Sequence, residues 1–437
     1  MDAERREIKN GALLVRDGVI IWVGGSDSLP EHHAESVVSL QGRVVIPGLV
    51  NTHHHMFQSL TRVIAQDHEL FGWLKSLYPI WQNIGAEHIY TASKLSMAEL
   101  MRSGCTTSSD HTYIFPNGAS LDDQIRAAQE IGMRFHAARG AMTLGESKGG
   151  LPPDSLVEDE AFVIKDTMRV IEAFHDANRH AMTRVVVAPC APFNVSQDFM
   201  RESANLARSY GVRLHTHLAE NANDIAYSLE MYGQRPGEYA ESMGWLGDDV
   251  WHAHCVQLDG DEIRLFARTG TGVCHCPSSN MRLASGIAPI RAMLDAHVKV
   301  GLGVDGSASN DSGHLLSEAR QAMLLQRVAH TNPGAMTARE ALEVATLGGA
   351  KVLGRDDIGA IAVGMSADFA CYRVDELSFA GAFADIVGAL VFCQSVNADR
   401  LVINGRPIIV DGQFVTIDLP VLIEKHNALS MGLLNGV

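Results

Sequence analysis

Val-Ile-Pro-Gly-Leu-Val-Asn-Thr-His-His-His, residues 45–55, carries a short apolar run straight into three consecutive histidines. Alternation along a strand points His53 and His55 the same way and His54 to the opposite face. Two imidazoles two residues apart on one face can hold a single divalent ion, which makes the stretch half of a metal site. A chain with 20 histidines can also produce such a cluster by chance. Support comes from recurrence: Val-Arg-Leu-His-Thr-His at 212–217, Trp-His-Ala-His-Cys at 251–255 and Val-Gly-Leu-Gly-Val-Asp at 300–305 each end an apolar run on a histidine, a carboxylate or their neighbour.

Between about 49 and 355, short apolar strands alternate with helical stretches. Val185–Ala188 precedes a helix-like 197–210, Val212–His215 precedes 222–243, and Val298–Val304 precedes 314–330. Strands alternating with helices imply a parallel sheet, and a run of this length predicts a closed, distorted (β/α)8 barrel of the TIM type. In such a barrel functional groups gather at the carboxyl ends of the strands, which is where His53, His55, His217, His254 and Asp305 stand. The flanks read differently. Residues 11–24 form two β-rich runs around Asp17-Gly18, and 400–417 form short runs around Asn404-Gly405 and Asp411-Gly412, all strong hairpin signals. The expected architecture is a catalytic barrel over 49–355 and a composite β-sandwich domain made from 1–48 and 356–437.

The 437 residues are 46% hydrophobic, enough to fill a large core, and carry a formal net charge of −16. That charge argues against nucleic acid or an anionic membrane as partner and favours a small molecule. Seven cysteines at irregular spacing argue against a disulfide framework and for a reducing compartment. The N-terminal Met-Asp-Ala-Glu-Arg-Arg-Glu-Ile-Lys lacks the apolar segment of a signal peptide, and no apolar run reaches membrane-spanning length. The expectation is a cytoplasmic homo-oligomer.

Five motifs carry a family resemblance: Pro-Gly-Leu-Val-Asn-Thr-His-His-His (47–55), His-Thr-His-Leu-Ala-Glu (215–220), His-Ala-His-Cys (252–255), Cys-Pro-Ser-Ser-Asn-Met-Arg-Leu-Ala-Ser-Gly (276–286) and Gly-Val-Asp-Gly (303–306). With them the chain resembles the amidohydrolase superfamily, in its branch of cytosine, guanine, adenosine-type and triazine deaminases. The resemblance implies that His53, His55, His217 and Asp305 bind one divalent metal ion, Zn²⁺ or alternatively Fe²⁺, with a water in the remaining position. It implies that His254 contacts that water and that Glu220 faces the substrate, so that Glu220, His254 and Asp305 form the catalytic group. The donor chemistry agrees: three neutral imidazoles and a carboxylate suit either ion, and the ion brings the pKa of its water toward neutrality. The implied reaction is hydrolytic deamination of an amino-substituted heterocycle. Asp305 and His254 would steer the water and take up its proton, while Glu220 protonates the ring nitrogen beside the attacked carbon and relays a proton to the departing ammonia.

The other histidines and cysteines are read as structural. His215 and His252 could themselves be ligands, but the family pattern uses the second histidine of each pair. His54 is expected to be buried behind the site. The expected fourth barrel strand, 184–195, contains no lysine of the kind that bridges two metals, when carbamylated, in amide-hydrolysing relatives, which favours a mononuclear deaminase. Cys274-His275-Cys276 cannot chelate one ion from a regular strand, because adjacent residues face opposite sides. It is expected to be the seventh strand, with Ser278, Ser279 and Asn280 shaping the following loop. The His-x-Glu and Pro-Cys-x-x-Cys signature of cytidine deaminases is missing, since Pro189-Cys190 is followed three residues on by Phe193.

Segments 56–62, 70–81 and 139–154 resemble the subgroup of 8-oxoguanine deaminases, with hydroxyatrazine-type aminohydrolases as near relatives. On that resemblance the substrate is 8-oxoguanine, deaminated to urate, with isocytosine or guanine as further substrates. A triazine aminohydrolase or chlorohydrolase is the alternative, and a non-catalytic scaffold of the same fold the third reading. Gln58 offers a donor and an acceptor to the edge of an oxo-purine, and Trp73 or Trp81 could cover a flat ring or equally serve the core. Arg139, Cys190 and Glu220 complete the expected substrate contacts. Family members usually begin with a further strand before Gly11-Ala-Leu-Leu-Val, where this chain has charged Asp-Ala-Glu-Arg-Arg-Glu, so the small domain is expected to lack an edge strand.

Overall fold

The computed structural model describes residues 4–436, so Met1, Asp2 and Ala3 of the charged N-terminal stretch, with Val437, lie outside the described residues. An antiparallel hairpin comes first, β1 (Gly11–Arg16) and β2 (Val19–Gly25). Its turn holds Asp17 at φ 50° and Gly18 at φ 77°, the left-handed pair that a two-residue hairpin with the right twist requires. Next comes β3 (Arg43–Pro47), then eight strands that close a parallel barrel: β4 (Leu49–Asn51), β5 (Cys105–Thr112), β6 (Arg134–Ala141), β7 (Thr183–Pro189), β8 (Arg213–Leu218), β9 (Val250–His254), β10 (Gly272–His275) and β11 (Lys299–Leu302). After the barrel, β12 (Phe369–Arg373), β13 (Arg400–Ile403), β14 (Arg406–Val410) and β15 (Gln413–Phe414) join β3 in an antiparallel sheet of order β15-β14-β13-β12-β3. The barrel and the sheet built from both ends of the chain thus match the expected architecture.

The β1–β2 hairpin is a separate two-stranded sheet bonded to the segment that leads into β12, through Ile20 N to Met365 O (2.9 Å) and Ala367 N to Gly18 O (2.7 Å). Ile20, Ala367, Phe369, Cys371 and Val402 fill the small core between the two sheets. Inside the barrel, Val50, Ala138, Val186, Ala188, Trp251 and Cys274 pack in the lumen against Ala350, Val352 and Leu353 of the segment that plugs its lower end.

Three expectations need correction. The segment after 356 is not all-β, because it contains the helices Ile386–Phe392 and Leu419–Asn435. Asp418 caps the latter by accepting Val421 N (3.2 Å), and Pro420 suits its first turn. This helix leaves the β-domain and lies on the helix Ala86–Arg102 and the 3-10 segment Met56–Thr61, where His426 meets Ser59 Oγ at 3.0 Å and Ser430 Oγ donates to Leu60 O at 2.7 Å. The helix-like 222–243 is two helices, Ala222–Tyr232 and Pro236–Ser242, because Gly233 caps the first and Pro236 starts the second. Ser278, Ser279 and Asn280 stand on a short helix, Pro277–Arg282, and not in a loop.

One buried ion pair ties the two parts together. Arg134, at the start of β6, meets Asp368, just before β12, through Nε–Oδ2 at 2.8 Å and Nη2–Oδ1 at 3.0 Å, with both residues almost wholly buried. Nη1 also donates to the carbonyls of His180 and Ala181 at 2.7 Å. Arg134→Met removes the cation and leaves the Asp368 carboxylate buried, so stability should fall by about 3–5 kcal/mol. The urea midpoint checks this, and an unchanged midpoint would mean that the pair adds nothing to the junction. Among the described residues no helix is long and apolar enough to cross a membrane, and all seven cysteines are free.

Candidate active site

The carboxyl ends of β4, β8, β9 and β11 bring His53, His55, His217, His254 and Asp305 to one end of the barrel. Strand pairing of β4 ends at Asn51, so His53 and His55 stand just past the strand and not on it. The backbone nevertheless stays tied to its neighbours, through Asp305 N to His53 O (3.2 Å) and His111 N to His54 O (2.8 Å). The alternation therefore persists: the His53 and His55 rings lie 4.6 Å apart, while His54 turns back to accept the His55 amide at 2.8 Å. Ala219, His254, Cys255 and Asp305 have φ between 50° and 70°, a conformation that costs a non-glycine residue roughly 1 kcal/mol or more. All four carry or adjoin the groups the site needs, Ala219 next to Glu220 and Cys255 next to His254.

Hydrogen bonds to acceptor-only groups fix the tautomers. His55 Nδ1 lies 2.6 Å from the His111 carbonyl and His217 Nδ1 lies 2.6 Å from the Cys190 carbonyl. Carbonyls only accept, so both Nδ1 atoms carry the proton and both Nε2 atoms present a lone pair. His215 Nδ1 faces the Trp251 carbonyl at 3.0 Å, which leaves His215 Nε2 to accept from His53 Nδ1 at 2.7 Å. His53 Nε2 is then a lone pair too, and it is buried without a hydrogen-bond partner.

These three nitrogens converge with a carboxylate. His55 Nε2 and His217 Nε2 are 3.0 Å apart, and Asp305 Oδ1 lies 3.3 Å from His53 Nε2 and 3.4 Å from His55 Nε2. Four acceptors facing one another with no proton between them repel unless a cation sits among them. Burial, reinforced by neighbouring imidazoles, brings His55 down to about 3 and lowers His53 and His217, so all three are neutral and able to coordinate. This donor set fits a divalent metal ion. A further triplet, His53, His111 and His215, also brings donor atoms together, but His215 has both nitrogens engaged, by the Trp251 carbonyl and by His53 Nδ1, and His111 Nε2 is held by the Ala188 carbonyl at 2.7 Å, which leaves His111 Nδ1 unpartnered.

The remaining groups handle protons. Asp305 Oδ2 accepts from Ser279 Oγ (2.5 Å) and Ser309 Oγ (3.2 Å), and Oδ1 accepts from Gly306 N (2.7 Å), so the carboxylate cannot rotate freely. His254 Nδ1 donates to Asn280 Oδ1 at 3.0 Å, and its Nε2 lies 3.7 Å from Glu220 and 3.8 Å from Asp305 Oδ2. Burial pushes His254 down, but the Glu220 and Asp305 carboxylates outweigh it and hold the imidazole above its usual range. Burial raises Glu220 to about 7 despite His254 beside it. A histidine held above its usual range by two carboxylates and a carboxyl raised to about 7, 3.7 Å apart, can exchange a proton.

A cavity opens over these groups. Gln58, Cys190, Glu220, His55, His217, His254 and Asp305 all line it, as does Trp73. Trp81 and Arg139, both expected at the substrate, do not. Trp81 lies one layer back, donating to Thr61 Oγ1 at 3.1 Å and packed edge-on against Phe57 and Trp73. Arg139 alternates with lumen-facing Ala138 and so points out of the barrel, where Asp166 (2.8 Å) and Glu158 (2.7 and 3.0 Å) hold its guanidinium. His54 is buried outside the donor cluster, as expected.

Several wall residues escaped sequence reasoning. Tyr113 OH accepts Gln58 Nε2 at 3.2 Å, and Asn194, 1% exposed, lines the cavity with its Nδ2 unpartnered. Tyr113 lies two residues beyond His111 at the end of β5, and that strand-end position is a signal that could have drawn attention. Asn194, in the loop after β7, carries no signal.

The amidohydrolase family matches residues 44–408. The chain is 44% identical to the 8-oxoguanine deaminase of Pseudomonas aeruginosa, over 98% of this chain and 95% of that protein. It is 37% identical to the hydroxydechloroatrazine ethylaminohydrolase of a Pseudomonas species, over 94% of this chain and 89% of that protein. Among solved structures it is similar to the zinc-complexed atrazine chlorohydrolase of Arthrobacter aurescens TC1, with a TM-score of 0.94, 33% identity, and coverage of 98% of this chain and 97% of that one.

Proposed function

The chain belongs to the amidohydrolase family, and from that premise we propose that it is a metal-dependent hydrolytic deaminase that converts 8-oxoguanine to urate and ammonia. The observation that carries the chemistry is that Glu220, raised to about 7, opens onto the same cavity as His55, His217 and Asp305, three of the four converging acceptors. The 44% identity to an 8-oxoguanine deaminase supports the choice of substrate. His53, His55, His217 and Asp305 would hold one divalent ion, with Zn²⁺ the first choice and Fe²⁺ the second. Bound there, the ion supplies the Lewis acidity that makes water a nucleophile near neutral pH.

The chain's own residues do the rest. A purine carbon bearing an amine is a poor electrophile until the adjacent ring nitrogen is protonated, and Glu220 gives that proton. Asp305, with one oxygen fixed by Ser279 and Ser309, and His254, fixed by Asn280, accept the proton that water loses on attack. Glu220, re-protonated through His254 at 3.7 Å, then protonates the amine, the C–N bond breaks, and ammonia leaves. The remaining hydroxyl proton passes by Asp305 and His254 back to Glu220 as the product carbonyl forms. Gln58, whose Oε1 is unpartnered, offers an acceptor to the ring edge, and Trp73 offers an apolar face. The same reading includes a cytoplasmic location, in keeping with seven free cysteines.

Substrate choice is tested with a panel of 8-oxoguanine, guanine, isocytosine, cytosine, adenine and hydroxyatrazine, assayed for ammonia. The highest kcat/KM is expected for 8-oxoguanine. Release of ethylamine or chloride from a triazine, with no ammonia from any purine, would establish the triazine reading instead. The pH profile follows from Glu220: if it must enter the reaction protonated, kcat/KM falls as pH rises past about 7. A profile flat from pH 6 to about 9 would remove Glu220 as the proton donor.

A further inference from the structure

The lower end of the barrel lumen, opposite the cavity, is lined by cations. Register sets His136 beside Arg184 and Val186 beside Arg213. Alternation puts Arg184 and Arg213 on the face of Val186, which packs in the lumen. Lys299 pairs with Gly272, two residues before lumen-facing Cys274, and shares that face. Arg184 and Arg213 converge on Gly354: a Cβ there would lie 1.8 Å from Arg213 Nε, and Arg184 Nη1 is 3.4 Å from the Gly354 carbonyl.

The charges here are poorly matched. Arg355, next in the chain, is satisfied by Asp357 at 2.7 and 2.8 Å. Arg184, Arg213 and Lys299 have no carboxylate within 4.0 Å among the described residues. The acids that act on them from further off include Asp249 and Asp357, already paired with Arg208 and Arg355, and Asp176 and Asp248. Arg213 reaches the Asp248 carbonyl at 2.5 Å. Arg184 makes only contacts of 3.4–3.5 Å to carbonyls, and its Nε is buried with no partner at all. Burial and the neighbouring guanidiniums bring Arg184 down to about 10. Arg213 bears on both of the others, on Arg184 from the adjacent strand and on Lys299 from across the lower end, and like charges so placed repel.

We propose that Arg184, Arg213 and Lys299 form an anion site at the lower mouth of the barrel that takes a phosphate group, separate from the deaminase centre. Guanidinium forks match the oxygens of a tetrahedral oxyanion two at a time, and a dianion offsets the repulsion among the three cations. The ligand is inorganic phosphate or the phosphate of a nucleotide.

The metal-loaded protein is titrated with inorganic phosphate, with a nucleoside monophosphate, and with chloride at matched ionic strength, while its unfolding midpoint and binding heat are followed. Phosphate is expected to raise the midpoint saturably by roughly 2–4 °C over chloride. The rise should be lost in Arg184→Gln and in Lys299→Met, both of which keep deaminase activity. A stronger response to the nucleotide would identify it as the source of the phosphate, and an equal response would favour the free ion. A rise matched by chloride, no saturable heat with wild-type protein, or a rise preserved in both variants because phosphate sits at the catalytic centre, would each overturn the proposal.

Discussion

Replacing His217 by alanine is expected to abolish deaminase activity and to strip the protein of its metal. His217 Nε2 lies 3.0 Å from His55 Nε2, and its proton is fixed on Nδ1 by the Cys190 carbonyl, so its lone pair faces the other acceptors and is lost with the ring. Without the ion, water keeps its bulk pKa of about 15.7 instead of about 7, and hydroxide at neutral pH becomes scarcer by roughly eight orders of magnitude. Asp305→Ala should do the same and in addition remove a proton acceptor. Metal analysis and turnover are read on the same samples. Near-normal turnover with bound metal in either variant would show that the four converging acceptors are not the metal shell.

Glu220→Gln should separate proton transfer from metal binding. Glutamine keeps the size and hydrogen-bonding reach of the side chain but carries no titrating proton. Metal content should stay near one per chain, turnover should fall by roughly 10²–10⁴-fold, and an oxo-purine should still bind. The fall of kcat/KM above about pH 7 should vanish with it. If this variant instead lost its metal and recovered activity in excess zinc, Glu220 would be a ligand and the proton relay through His254 would be wrong.

Much of the barrel and of the donor set was legible in the residues because both depend on short-range pattern. Apolar runs ending in His53, His217, His254 and Asp305 mark strand ends, and strand ends are where a barrel gathers its chemistry. Glu220 was legible only through its motif; its shifted pKa arises from burial, which the chain folds around it. Arg139 was misplaced because a guanidinium near a strand end reads alike for either face, and only its alternation with Ala138 sends it outward to Glu158 and Asp166. Trp81 was misplaced by one layer, since a helix carrying both Trp73 and Trp81 does not reveal which ring meets the cavity. The final helix was lost behind the hairpin signals that precede it, although its partners, Ser59 and Leu60, adjoin Gln58. Asn194 and the lumen cations depend on tertiary approach alone.

The most direct test follows ammonia and urate together from 8-oxoguanine, first with protein treated with a chelator and then with the same protein after one equivalent of zinc. Silence before zinc, and equal amounts of ammonia and urate after it, are the expected result. Full activity in the chelated protein, shown by analysis to hold no transition metal, or no ammonia from 8-oxoguanine by protein shown to carry zinc, would contradict a metal-dependent 8-oxoguanine deaminase.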